Sequence, residues 1–135
     1  MTVTFIGHSN TPDEIQESLE KVLIDLIETD NAIQFYIGNH GNFDLIVKNT
    51  LYKLKNVYPH ISFSVVLAYK PVNKANYTLF PEILENTHPK YAIIKRNQWM
   101  IEQSDTVITY VKNTNGRSVR FKEYAEKKGK RIVNL

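Results

Sequence analysis

Short apolar runs alternate along this chain with longer stretches whose apolar residues recur every three or four positions. That alternation constrains the fold more than any single motif, because it is the pattern of strands and helices laid down in turn around a parallel sheet. Val3 to Ile6, Ile33 to Ile37, Ile61 to Ala68, Asp105 to Val111 and Arg131 to Leu135 read as strands. The third run is continuous enough to predict a central strand covered on both faces. Between the first two, Thr11-Pro12-Asp13-Glu14 opens a helix with a cap, an early proline and first-turn acids. Its buried stripe is Ile15, Leu19, Val22, Leu23, Leu26 and Ile27. Further helices are expected from about Asn42 to Val57, Tyr91 to Gln103 and Ser118 to Lys128, the last stopped by Gly129.

The expected architecture is α/β: a Rossmann-like three-layer sandwich around a five-stranded, mainly parallel sheet in the order 3-2-1-4-5. Residues 1–135 read as one domain, enough chain for one core. The stretch from about 70 to 90 breaks the rhythm with Pro71, Pro81, Pro89, Asn73, Asn76 and Asn86, and reads as an irregular insertion serving as a lid, a partner surface or a plain surface loop. No apolar run reaches membrane-spanning length, the first residues enter a strand without a basic leader, and a cytoplasmic location is the expectation. Zero cysteines exclude a disulfide framework and a cysteine nucleophile. The histidines at 8, 40, 60 and 88 lack metal-ligand spacing, so neither a metal nor a cofactor is expected.

The net charge of +3 conceals an asymmetry: residues 1–31 carry seven acids against one base, and residues 112–135 carry eight bases against two acids. A basic end either attracts a polyanion or is the solvated face of an amphipathic helix.

Two turns that follow strands carry the functional signal. Gly7-His8-Ser9-Asn10 ends the first strand and Gly38-Asn39-His40-Gly41-Asn42 ends the second. A strand that stops in Gly with Ser or Asn and then enters a helix leaves main-chain N–H groups free to hold an anion. A third turn, Asn115-Gly116-Arg117-Ser118, opens the last helix. With the expected strand order, the first and third turns face each other where the order reverses, and the second lies alongside. The bland readings are that Ser9, Asn10 or Thr11 caps a helix, that the glycines serve turn geometry, and that His8 is a structural hydrogen bonder. Asp44 either complements the helix dipole or reads a ribose hydroxyl or base amino group. Arg96 either clamps a phosphate or forms a surface ion pair. Trp99 and Met100 are assigned to the core.

Thr4-Phe5-Ile6-Gly7-His8 followed by Phe35 to Asp44, with Arg96-Asn97-Gln98-Trp99-Met100 before Asp105 and Glu123 to Leu135 at the end, resembles the SLOG superfamily of Smf/DprA and LOG-like domains, nearest its small YpsA-like bacterial members. The resemblance covers nearly all of the chain outside 70–90. It implies a Rossmann-like domain that binds a nucleotide or nucleotide-derived ligand, and related domains commonly pair, which leaves room for a homodimer. The LOG hydrolases carry Arg-Lys-x-x-Met and, after the fourth strand, a glycine-rich loop ending in glutamate. Here Arg96 and Met100 fit the first pattern, Asn97 replaces the lysine, and Val119 and Arg120 fall about where the carboxylate belongs.

The first reading is therefore a module that binds or senses a nucleotide-like ligand, with phosphate on the second and third turns and Arg96, and with Ser9, Asn10 and Asp44 toward sugar or base. The second is a nucleoside monophosphate phosphoribohydrolase, in which Asp44 or His8 substitutes for the missing glutamate. Whether the chain is an enzyme stays open, leaning against. The third is a DNA-binding or protein-interaction role. Nucleic acid ranks last as a partner because the sequence lacks the interleaved aromatics of a single-strand groove.

Overall fold

The computed structural model describes residues 1–73 and 75–135. The strands are β1 (Thr2–Gly7), β2 (Gln34–Ile37), β3 (Ser62–Val66), β4 (Thr78–Leu79), β5 (Thr106–Tyr110) and β6 (Arg131–Asn134). The helices are α1 (Ile15–Thr29), α2 (Gly41–Val57), α3 (Ala92–Glu102) and α4 (Arg117–Lys127). Every strand pair is parallel, and the order is β4-β3-β2-β1-β5-β6.

Five of these strands are the expected ones in the expected order; the sixth, β4, is an addition on the far edge. It lies inside the 70–90 stretch, which is therefore ordered in part: β4 pairs with Val65 and Val66 of β3, and two 3₁₀ turns, Glu82–Asn86 and Pro89–Tyr91, follow it. A two-residue strand shows no alternation, so periodicity could not reveal it. Its presence shields β3, which runs next to the edge rather than through the centre. β1 takes the central place, bonded to β2 on one side and β5 on the other.

Alternation along β1 divides the core. Val3 and Phe5 pack with the buried faces of α1 and α2, whereas Ile6 joins Ile101, Val107, Phe121 and Ala125 under α3 and α4. Phe5 stacks on Phe35 with ring centroids 6.2 Å apart, and Trp99 of α3 meets Tyr36 edge-on at 5.1 Å. The layers are thus α1 and α2, the sheet, then α3 and α4. All strands being parallel, the loops that follow β1, β2 and β5 emerge at one rim. Among the described residues no helix is long and apolar enough to cross a membrane.

Candidate functional site

The three turns meet, and specific bonds hold them. His8 Nε2 accepts from the Lys112 N–H at 2.9 Å, joining the loop after β1 to the loop after β5. The Asn42 N–H donates to the Ser9 carbonyl at 2.7 Å, and Asn42 Nδ2 donates to the Thr11 carbonyl at 2.6 Å and to Asp13 Oδ1 at 2.9 Å. His8 and Asn42, both expected to touch ligand, thus act as ties between loops.

Three glycines of these turns answer to close packing within the protein. A Cβ on Gly7 would lie 2.4 Å from the Phe43 ring, one on Gly38 would lie 2.5 Å from Asp44 Oδ2, and one on Gly41 would lie 2.6 Å from Ser9 Cα. Gly41 also sits at φ +86°, where L side chains are strained. Gly116 differs. At φ +111° it precedes α4 with open space around it and brings no capping side chain, so the first amides of that helix have no side-chain acceptor.

Between these loops and the start of α4 lies a cleft of about 160 Å³. Seven of the residues singled out in the sequence line it: Gly7, Ser9, His40, Asp44, Arg96, Arg117 and Ser118. Gly38, Asn39 and Gly41 border a neighbouring chamber that shares Asp44 with the cleft. Asn10, Asn115 and Gly116 are exposed beside it. The sequence reading missed Phe5, Ile6, Ile93, Asn97 and Phe121 as lining residues and assigned Met100 to the core alone. A signal existed, because 93, 96, 97 and 100 form one stripe of α3, and Phe121 stands one turn beyond Arg117.

Arg96 is not a surface ion pair. It is 2% exposed, and its guanidinium is largely spoken for: Nε donates to Asn97 Oδ1 at 2.8 Å, and Nη1 donates to Asn39 Oδ1 at 2.7 Å and the Val66 carbonyl at 3.2 Å. Nη2 makes no hydrogen bond to a described residue, yet no fully buried side-chain nitrogen or oxygen among them lacks a partner. Nη2 therefore keeps some exposure, and Arg96 is one of the residues that line the cleft. Burial pushes the pKa of this group down from its ordinary value, while Asp44 and Tyr69 partly hold it up; arginine keeps its charge regardless.

Asp44 is the single carboxylate among the cleft-lining residues. Its Oδ2 accepts from the His40 N–H at 3.0 Å, closing the β2–α2 loop onto the first turn of α2. Crowding by protein raises its carboxyl above the ordinary 3.8; the His40 N–H and the charge of Arg96 pull it back only in part. No acid occupies the first turn of α4, so Val119 and Arg120 stand where a LOG-type glutamate is expected. The cleft thus offers cationic nitrogen, uncapped helix amides and one hindered carboxyl, an arrangement suited to holding an anion at its α4 end.

No family model matches the chain, and no curated protein matches it. Two solved structures share its fold. A structure of DNA processing protein A from Helicobacter pylori, described for its single-stranded DNA binding mode, has a TM-score of 0.65 at 18% identity over 100% of this chain. That of DNA processing protein A from Streptococcus pneumoniae has a TM-score of 0.69 at 17% identity over 98%. The chain is similar in fold to these two DNA processing protein A structures. This chain spans 65% and 49% of those two chains, so it corresponds to part of each. The neighbours correct one expectation: nucleic acid cannot be ranked last among the partners, because the fold is one on which single-stranded DNA binding is described.

Proposed function

We propose that the chain is a binding module for phosphate-bearing nucleotide units, single-stranded DNA foremost, held at the rim cleft. The observation that carries this reading is the convergence of Arg96, Arg117 and the open α4 N-terminus on one cleft beside three lashed loops. A buried arginine and free amides together favour an oxyanion over a neutral ligand. The phosphoribohydrolase reading is not favoured, since its chemistry would fall on Asp44, whose carboxyl already accepts from His40.

Fluorescence anisotropy with a labelled dT12 strand tests the proposal. Binding should weaken with salt, with a log–log slope of about −0.7 per phosphate neutralised. Arg117→Ala, at an exposed position, should weaken binding and flatten that slope by about 0.7. No binding at low salt, or an unchanged slope in the variant, overturns the reading. The small volume of the cleft also favours a second occupant, a free nucleotide. A rise in the thermal midpoint with nucleoside monophosphates but not with dT12 would select it.

A further inference from the structure

One stripe along α2 ends in an aromatic platform that the proposed function does not use. Asp44, Lys48, Tyr52 and Lys55 recur at helical spacing on one stripe of α2. At the upper end, Asp44 and Lys48 border the side chamber next to the cleft. At the lower end, Tyr52 and Lys55 line a separate cavity of about 380 Å³ with Asn56, Pro59 and Tyr77. Tyr52 and Tyr77 are 44% and 43% exposed. Their rings meet edge-on at 5.7 Å, and Tyr77 stacks on Phe63 at 4.9 Å with an interplanar angle of 11°. Phe63 in turn braces Tyr52 at 4.9 Å. Two rings are thus fixed in place with half their surface open.

Tyr77 occupies the left-handed region at φ +66°, a conformation that a bulky side chain rarely adopts. Among the described residues no carboxylate borders the lower cavity. Lys48 makes no ion pair with a described residue, and Lys55 Nζ donates to the Ile61 carbonyl at 2.6 Å. Open aromatic faces beside lysines, with no acid at the cavity, match the chemistry of bases and phosphates in an unpaired strand.

We infer that a single strand anchored by phosphate in the rim cleft continues down the outer side of α2, past Lys48, and stacks a base on the Tyr52–Tyr77 platform. Asp44, on the wall of the cleft, and Tyr52 lie about 12 Å apart along α2, the rise of eight helical residues at about 1.5 Å each, so only a strand of about three or more nucleotides engages both. This inference rests on the proposed function, and strand length separates the two.

The experiment compares dT2 and dT12 by anisotropy in the wild type, Tyr52→Leu and Tyr77→Gly. Tyr52→Leu keeps a side chain against Phe63, and Tyr77→Gly suits the positive φ; circular dichroism checks both folds. Each variant should bind dT12 about 10-fold more weakly and dT2 as the wild type does. Equal binding of dT12 by all three proteins overturns the inference and leaves the rim cleft standing. Equal loss for dT2 and dT12 overturns it as well, because the effect would then be on the cleft. If the wild type sediments as a dimer that the variants dissociate, the platform is an interface with a second copy and the inference fails. If the wild type binds neither oligonucleotide, the inference and the proposed function fall together.

Discussion

Single atoms decide what the rim loops can tolerate. At Gly41 a methyl group would run into the main chain of Ser9 while forcing a strained φ, and backbone yields less than a side-chain tip. Gly41→Ala should therefore lower stability by about 1–3 kcal/mol, read as a shifted denaturation midpoint, and should weaken oligonucleotide binding with it. Asp44 carries a pH signature. Its folded carboxyl titrates above the ordinary 3.8, so between these values the folded chain holds more protons than the unfolded one. Stability should consequently fall as pH rises through that window, and Asp44→Asn should remove this part of the decline in urea titrations repeated from pH 4 upward. Both residues were legible as site candidates in the sequence. The reason for Gly41 was not, because its partner, Ser9, lies 32 positions away and only the folded chain brings them into contact.

Among the elements, helices and long strands announced themselves through stripes and stop signals, but the cap read in Thr11-Pro12-Asp13-Glu14 does not hold: α1 begins at Ile15 after that segment, with no side-chain cap. α2 was expected to start at Asn42 and starts at Gly41; α4 was expected at Ser118 and starts at Arg117. The loops did not announce their ties. Nothing in a linear reading separates an asparagine that touches ligand from one that lashes two loops, since both need a short amide near a helix start. Asn42→Ala deletes the donors to the Thr11 carbonyl and Asp13. It should lower stability by about 1–2 kcal/mol, and amide exchange should accelerate in the loop after β1 before it does in the strands. β4 was missed for a different reason: two residues pairing with β3 depend on the neighbour, not on their own pattern. The aromatic platform was illegible likewise, because Tyr52, Phe63 and Tyr77 belong to three elements, and the expected interleaving in sequence never needed to exist.

For the whole molecule, the charge asymmetry seen in the sequence becomes a contact. Arg131 of β6 reaches Asp30 at the end of α1 at 2.6 Å, tying the basic end of the chain to the acidic one. The pair is partly exposed, so its removal should change stability by no more than about 1 kcal/mol. Native-state hydrogen exchange should rank β1 and β5 as slowest and β4 as fastest, because protection follows the burial and pairing of each strand. The sheet also has a birth order. Its middle strand leaves the ribosome first, yet one of its two neighbours, β5, lies about a hundred residues downstream; Thr2 already bonds Asp105 across 103 positions. At about 5–20 residues per second, β1 waits roughly 5–20 s with one edge unclaimed, so the nascent chain spends that interval as a half-sheet that any passing strand, its own sister's included, can complete.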